Sequence, residues 1–237
     1  ITECNKKKFK DYFELVISDN ASTDNTKNIV QKYKKVLSKN NFIIRKYFRQ
    51  RKNLGYPKNL IKVIKLCSSK YLMTLSDDNI PGNGFYKEIF DYLNKFNLTE
   101  LGFVPISATG ILKNKFYKNK LGYVLTRGSV LSGTLLKTKN ISFKFVSNNL
   151  YVHNIIFINY FLKHGLKQIN LKSKINILNS QKISEKFNDR VGRKSDFAVI
   201  DKIKTVEIFY KKNKIIYFNF LISIFKIYTW CIDIKYN

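Results

Sequence analysis

Two adjacent carboxylates, Asp77 and Asp78, follow a short apolar stretch, Tyr71–Leu75, that is typical of a buried strand. Neighbouring acids repel each other and lose hydration at the end of such a strand, so a cation is expected beside them. A hard divalent cation that also binds water and phosphate oxygens suits this pair. In open α/β sheets, ligands bind beyond the carboxyl ends of the strands. The alternative is that both residues only begin a turn or cap the next helix.

A second polar cluster, residues 19–26, follows another predicted strand, Phe13–Ser18. Its density of Asp, Asn, Ser and Thr predicts a loop, and Asp24 or Thr23 can cap the helix that follows. Residues 53–57 (Asn-Leu-Gly-Tyr-Pro) predict a turn in the same way. The residues that could do chemistry therefore lie where predicted strands end and where predicted helices begin.

The elements that must position these loops alternate along the chain. Helical spacing of apolar residues predicts helices over 26–37, 60–66 and 85–96, and apolar runs predict strands at 13–18, 42–48 and 71–75. This order implies right-handed crossovers and a mainly parallel sheet flanked by helices, which is an α/β fold. Leu101–Ile106 and Gly122–Leu125 are predicted as further strands.

The chain is strongly basic, with 44 Lys and Arg against 16 Asp and Glu and a formal net charge of +28. Such a surface attracts polyanions, including nucleic acid, anionic lipid and phosphorylated substrates. A nucleic-acid-binding protein would interleave exposed aromatic residues with the basic ones. The aromatic residues here fall mostly at core periodicity, so no nucleic-acid partner is expected, and non-catalytic nucleic-acid binding is the alternative function.

Three motifs resemble the nucleotide-sugar half of glycosyltransferase family 2. They are residues 14–26 (Glu-Leu-Val-Ile-Ser-Asp-Asn-Ala-Ser-Thr-Asp-Asn-Thr), residues 53–55 with Asn59, and residues 75–81 (Leu-Ser-Asp-Asp-Asn-Ile-Pro). Their order and separations make the resemblance far stronger than any one motif does. It implies a GT-A fold with a Rossmann-like sheet and transfer of a sugar from a nucleoside-diphosphate donor to a glycan or a lipid-linked acceptor.

The resemblance also implies roles for individual residues. Asp19 matches the position that binds the nucleotide base or ribose. Asp77 and Asp78 match the family's Asp-x-Asp-type element, in which one carboxylate faces the ribose or sugar of the donor and the other, Asp78, binds Mg²⁺ or Mn²⁺ on the diphosphate. Asp77 is therefore assigned to donor binding and, with Asp78, to the metal. Asn79 stands where a third acid is usual. The other residues assigned to donor binding are Asn20, Ser22, Asn53, Gly55, Asn59, Arg127 and Arg190.

An inverting transferase needs a base that takes the proton from the acceptor hydroxyl. No Asp or Glu stands between Glu100 and Glu185, so the family's usual acidic base has no match there. His153, at the start of an apolar helical run, is one candidate base, with a structural histidine as the alternative. Asp189 and Glu185 are the other candidates. They lie in a basic loop whose Arg190 could close over a diphosphate or simply be solvated.

The small residues Gly128, Ser129, Ser132 and Gly133 lie within residues 121–136. This segment resembles the family element that leads under the acceptor site, where glycine permits close backbone approach. The alternative is a glycine-containing hairpin.

Two further expectations concern the ends of the sequence. Family members have another apolar strand before the Glu14 strand, so we expect about 25 to 30 residues to be absent and a gap beside Leu15–Ile17. A divergent member with a shortened sheet is the alternative. The catalytic domain is predicted over 1–205, with a nucleotide-sugar half over 1–100 and an acceptor half over 101–205.

Residues 206–237 are predicted to be an amphipathic helical segment. Asn219, Lys226 and Asp233 make one polar stripe on it, which suits a helix in the plane of an anionic membrane surface or one docked on the catalytic domain. The family resemblance then implies metal-assisted, inverting transfer in bacterial surface polysaccharide synthesis for the cell envelope, at the cytoplasmic face of the plasma membrane. An inactive remnant of such an enzyme is the further alternative.

Overall fold

The computed structural model of the chain describes residues 13–39, 43–76, 79–107, 120–128, 130–144, 146, 151–177, 203–212 and 215. The strands are β1 (Glu14–Asp19), β2 (Ile43–Arg49), β3 (Tyr71–Met73), β4 (Asn79–Pro81), β5 (Leu101–Phe103), β6 (Thr134–Lys137), β7 (Leu166–Gln168) and β8 (Ile175–Ile177). The helices are α1 (Thr26–Lys39), α2 (Tyr56–Leu66), α3 (Phe85–Lys95), α4 (Lys120–Arg127), α5 (Val152–His164) and α6 (residues 203–211).

The first part of the chain follows its apolar periodicity closely, and the α/β class is confirmed. The alternating order from β1 to α3 has every predicted element within a few residues of its predicted bounds. Asn25 is the N-cap of α1, because its carbonyl accepts from the N–H of Ile29 at 3.0 Å, and Asp24 just before it accepts from the N–H of Thr26 at 3.0 Å.

The strands form three ladders, which are mixed rather than mainly parallel. β1 pairs with β2 in parallel, and β3, β6, β5 and β7 form a four-stranded sheet in that order. β6 lies between β3 and β5 and is antiparallel to both, whereas β5 and β7 are parallel. β4 pairs with β8 beyond this sheet.

The strand predicted at Gly122–Leu125 is wrong, because these residues lie in α4. A short apolar run does not distinguish a strand from one buried turn of helix. Residues 121–125 are all buried here, as one turn of a helix enclosed by the core can be. Gly128 ends the helix so close to α5 that a Cβ added there would lie 3.2 Å from the Phe157 ring.

The four-stranded sheet separates two apolar clusters. Phe103 and Leu136 belong to the larger cluster, together with buried residues of α2, α4, α5 and α6. Their neighbours Val104 and Leu135 belong to the smaller cluster, together with α3. Because successive side chains of a strand point to opposite faces, the sheet is covered on both sides.

A cavity of about 600 Å³ lies between β1 and β3, so the gap predicted beside Leu15–Ile17 is present. Within the described part of the chain, β1 pairs only with β2, and β3 pairs only with β6. The apolar face of α1 also lines this cavity, and Ile29 and Tyr33 on that face remain 49% and 41% exposed. Apolar side chains of β1, β3 and α1 therefore face an open space beside β1.

The predicted domain boundary after residue 205 falls inside α6. Val206 and Phe209 of this helix are buried in the larger cluster, so the chain continues as part of the core beyond that point. The predicted polar stripe at Asn219, Lys226 and Asp233 lies outside the described residues. None of the helices described is both long enough and apolar enough to cross a bilayer.

Candidate functional site

The loop after β1 and the loop before α2 are joined by the side chain of Asn20. Its Nδ2 donates to Oδ1 of Asn53 at 2.7 Å, and its Oδ1 accepts from the N–H of Leu54 at 2.9 Å. Oδ1 of Asn53 also accepts from the N–H of Gly55 at 2.8 Å. Three of the residues predicted to bind the donor are therefore brought together.

A second link, immediately behind the first, ties β1 to α2. Ser18 Oγ donates to Asn59 Oδ1 at 2.6 Å, and Asn59 Nδ2 donates back to the carbonyl of Ser18 at 3.1 Å. Gly55 has φ of +78°, a conformation that favours glycine, and it begins α2 beside this link. The two loops thus form one rigid polar edge at the carboxyl end of β1.

Asp19 lies beneath this edge, and protein groups surround its carboxylate. Oδ1 accepts from the N–H of Ser22 at 2.8 Å, and Oδ2 accepts from the hydroxyl of Tyr47 at 2.7 Å and lies 3.3 Å from Nε of Arg49. Burial raises the pKa of Asp19, but the hydrogen bonds from Ser22 and Tyr47 and the charge of Arg49 outweigh it and hold the pKa below its usual value. Because its side chain is fully buried, Asp19 shapes the loop from within.

Ser22 and Ala21 complete the loop after β1. The carbonyl of Ser22 accepts from Nη2 of Arg49 at 2.7 Å, so both ends of this short segment are fixed. Ala21 has φ of +63°, which costs a residue with a side chain roughly 1 kcal/mol or more and is typical of functional loops. Neither Tyr47 nor Arg49 was predicted from the sequence. Both residues lie on β2, and the parallel register of β1 and β2, which places Arg49 opposite Asp19, is the feature that would identify them.

Asp77 and Asp78 lie outside the described residues, but the residues on either side of them are described. The N–H of Ser76 donates to Oγ of Ser132 at 2.8 Å, and Nδ2 of Asn79 donates to the same oxygen at 3.0 Å. Ser132 was predicted only as one of several small residues in its segment. Its hydroxyl contacts the residues on both sides of Asp77 and Asp78, and those two residues are also joined by the bond from the N–H of Asn79 to the carbonyl of Ser76 at 3.2 Å.

Arg127 has a different environment from the one expected of a donor-binding residue. It is 2% exposed, and its Nη2 donates to the carbonyls of Val104 at 3.0 Å and Ser132 at 3.1 Å. Its Nη1 donates to Val130 at 3.3 Å, and the guanidinium lies 5.0 Å above the Phe103 ring. Burial lowers its pKa to about 10. The described contacts of Arg127 hold the turn before β6.

His153 lies at the start of α5, with its Nδ1 2.9 Å from the hydroxyl of Tyr56, and it is 5% exposed. Tyr56 directly follows Gly55, so this contact connects α5 to the polar edge. Burial raises the pKa of Tyr56, so its hydroxyl stays protonated at neutral pH. The rings of Tyr151 and Phe157 flank the imidazole. The other candidate bases, Glu185 and Asp189, and the candidate donor-binding residue Arg190 lie outside the described residues.

A model of the family described as glycosyl transferase family 2 matches residues 2–158. The chain belongs to glycosyl transferase family 2. Comparison with curated proteins gives no match.

Solved structures support the GT-A fold of this family 2 chain. S. aureus TarS 1–349 superposes with a TM-score of 0.57 at 16% identity, covering 86% of this chain and 59% of that one. The complexes of TarS 1–349 with UDP-GlcNAc and with UDP give TM-scores of 0.57 and 0.58 at 15% identity, covering 86% of this chain and 61% and 60% of those chains. The family 2 chain thus spans about three fifths of the length of these structures.

A metal in this family 2 chain would depend on the acidic turn. Among the described residues, no three His, Cys, Asp or Glu side chains come together as a metal site. The Asn79 amide beside the turn donates to Ser132, so its nitrogen is used for structure. Carboxylate oxygens such as those of Asp77 and Asp78 are the donors that Mg²⁺ and Mn²⁺ prefer, so the residue types fit such an ion.

Proposed function

We propose that this protein transfers a sugar from a nucleoside-diphosphate sugar to a hydroxyl of a glycan or lipid-linked acceptor. The observation that carries the proposal is the polar edge, in which Asn20 joins the loop after β1 to the loop that carries Asn53. A nucleotide needs preorganised polar groups at the carboxyl end of a sheet, and this edge supplies them. Asp19 and Ser22 support the edge from below.

A UDP-sugar is the first donor to test. TarS was solved with UDP-GlcNAc and with UDP, and its fold is similar to that of this chain. Gly55 and Asn59 border the same edge, where a ring and a ribose could approach the backbone closely. Arg127 is not part of the proposed donor site, because it is 2% exposed and its guanidinium is bonded inside the turn before β6.

Asp77 and Asp78 are the residues that would hold Mg²⁺ or Mn²⁺ against the diphosphate. Such an ion, when bound, supplies Lewis-acid stabilisation of the leaving diphosphate, which gains negative charge as the glycosidic bond breaks. The protein's own contribution is to hold Ser76 and Asn79, the residues on either side of this pair, through Ser132 and through their bond to each other.

His153 is the proposed base for an inverting transfer. The acceptor oxygen forms a bond to the anomeric carbon, the bond to the diphosphate oxygen breaks on the opposite side, and the acceptor proton passes to the imidazole. Tyr56, at 2.9 Å, would hold the ring in one orientation. Asp189 is the alternative base and would act from the basic loop that includes Arg190.

The proposed setting is the assembly of bacterial surface polysaccharides at the cytoplasmic face of the plasma membrane. The net charge of +28 supports attraction to an anionic membrane surface, where a lipid-linked acceptor would be found. The family and the charge are what support this setting.

Nucleotide binding and donor hydrolysis test the proposal. We expect UDP with Mn²⁺ to raise the melting temperature of the protein, and a UDP-sugar to be hydrolysed slowly without acceptor. His153→Gln should lower turnover at least about tenfold without weakening UDP binding, whereas His164→Gln, at the other histidine of α5, should leave both unchanged. Salt-sensitive DNA retention with no response to any nucleotide would favour the nucleic-acid alternative and refute the proposal.

A further inference from the structure

We infer that the outer side of α2, together with the adjacent Phe48 ring of β2, is a docking surface for an anionic lipid bilayer. This surface, which we call the lysine face, consists of Lys58, Lys62, Lys65 and Phe48. The inference deepens the proposed membrane setting and rests on the proposed function for its purpose, because a transferase with a lipid-linked acceptor must reach a membrane. Binding to the bilayer itself is tested without nucleotide or acceptor.

The three lysines lie on one side of α2. Residues 58, 62 and 65 are spaced by four and by three, so their side chains project from the same side of the helix, and all three are exposed. Leu60 and Ile64 lie on the opposite side and are buried in the larger apolar cluster. The helix therefore uses its apolar side for the core and presents a row of positive charge to its surroundings.

Aromatic rings lie beside two of these lysines. Nζ of Lys62 is 4.7 Å from the centroid of the Phe48 ring, and Nζ of Lys65 is 5.2 Å from that of Phe143. The Phe48 residue is 37% exposed. At a bilayer surface, an exposed ring enters the boundary between headgroups and acyl chains, while lysine ammonium groups remain among the anionic headgroups. A lysine beside a half-exposed ring supplies both contacts at one place.

The positive charge of the lysine face is not neutralised from within the protein. The stretch from residue 25 to residue 76 contains no Asp or Glu, although it is rich in Lys and Arg. Glu14 and Asp19 contact this stretch from β1, at Ser68 and at Arg49. None of the three lysines has an acidic partner within the part of the chain that the structure describes. An external anionic surface is the complement of such a face.

The aromatic contact favours a bilayer over a nucleic acid. Single-stranded nucleic acids bind by stacking their bases on open aromatic faces. The ammonium of Lys62 lies over the Phe48 ring, where a base would have to stack. A bilayer needs only an exposed ring and cations within reach of its headgroups. Because α2 directly follows Gly55, a bilayer on this face would bring a lipid-linked acceptor to the region of the polar edge.

Vesicle binding by the purified protein tests the inference. Co-sedimentation with phosphatidylglycerol and phosphatidylcholine vesicles should show binding that rises with the phosphatidylglycerol fraction and weakens as salt is added. A lysine near an anionic surface strengthens binding about fivefold, so the double variant Lys62→Gln/Lys65→Gln should bind about 10- to 30-fold more weakly. Lys58 is left unchanged in this variant because it precedes Asn59 of the polar edge.

Two matched controls separate the lysine face from the general charge of the protein. The double variant Lys172→Gln/Lys174→Gln also removes two exposed charges, before β8, and should weaken vesicle binding less than about threefold. Phe48→Ser should weaken it about threefold or more, because a ring is lost from the interface. Phe96→Ser should not, although this ring is 47% exposed and lies 5.4 Å from Nζ of Lys95.

Equal losses in the two lysine pairs would overturn the inference, because binding would then follow net charge alone. A wild type that ignores anionic vesicles, or that retains DNA instead through Lys62 and Lys65, would also overturn it. The Lys62→Gln/Lys65→Gln protein should bind UDP as the wild type does, and weaker UDP binding would place these lysines in the nucleotide site and refute the inference. A wild type that binds vesicles through this face but binds no nucleotide would refute the proposed function and support the docking surface.

Discussion

Replacing Arg127 by methionine should strongly destabilise the protein. The guanidinium is 2% exposed and donates to four backbone carbonyls, at 3.0, 3.1, 3.3 and 3.5 Å. A hydrogen bond to a charged group is worth about 1.5–3 kcal/mol, and methionine would leave those carbonyls without this donor. Part of the loss is offset, because methionine carries no charge into the core.

The balance gives a loss of about 3–5 kcal/mol in the free energy of unfolding. For a chain of this size the melting temperature should fall by about 10 °C. Arg127→Lys keeps the charge but not the planar guanidinium, so it should lower the free energy of unfolding by at least about 2 kcal/mol. Urea titration and thermal unfolding, both followed by circular dichroism, measure these changes. Arg51→Met is the matched control, since Arg51 is exposed, and it should stay within about 0.5 kcal/mol of the wild type.

Two results would contradict this account of Arg127. One is an Arg127→Met protein whose stability lies within about 1 kcal/mol of the wild type. The other is an Arg127→Lys protein that unfolds like the wild type but binds UDP much more weakly. The second result would restore the nucleotide-binding role predicted from the sequence.

Three further predictions concern the polar edge, Asp19 and α5. Asn20→Ala removes both bonds between the two loops and should weaken UDP binding about tenfold in calorimetry. The control is Asn28→Ala, which removes an exposed bond at the start of α1 and should leave UDP binding unchanged. Equal losses of affinity in the two variants would exclude a role for the polar edge. The pKa of Asp19 in the folded protein lies below its usual value. Its carboxylate therefore stabilises the folded protein fully at any pH above about 3.9, the pKa of an unfolded Asp, and this stabilisation is lost as the pH falls through the folded pKa. Urea unfolding should therefore give a wild-type advantage over Asp19→Asn that is greatest near pH 7 and shrinks below pH ~4; a difference independent of pH would be the contrary result. Asn154 is fully buried, and neither end of its amide has a hydrogen-bond partner among the residues that the structure describes. Asn154→Leu should therefore raise the free energy of unfolding by about 1–3 kcal/mol. A loss of stability would mean that the amide is satisfied in solution.

Local patterns were enough to predict β1, α1, β2 and α2. Their apolar residues recur at the spacing of their own element, and polar residues mark the ends. The same logic brought Asn20, Asn53 and Asn59 together, since loops at the carboxyl ends of neighbouring strands must meet. Family membership and the GT-A fold were predicted from the same three motifs.

What the sequence did not predict depends on partners distant in the chain. The turn that holds Arg127 and the register that joins Arg49 to Asp19 exist only after strands have paired. Ser132 contacts a turn more than fifty residues before it, and nothing near either residue in the sequence marks the pair. Gly122–Leu125 was predicted as a strand because four residues are too few for a helical period to be seen.

The open space between β1 and β3 has a consequence for the behaviour of the protein in solution. Its lining is mostly apolar and is reached by water, because Ile29 and Tyr33 on its border are 49% and 41% exposed. A contiguous apolar surface that water reaches is a place where soluble proteins associate. The folded protein should therefore take up apolar dyes on this side and tend to self-associate at high concentration.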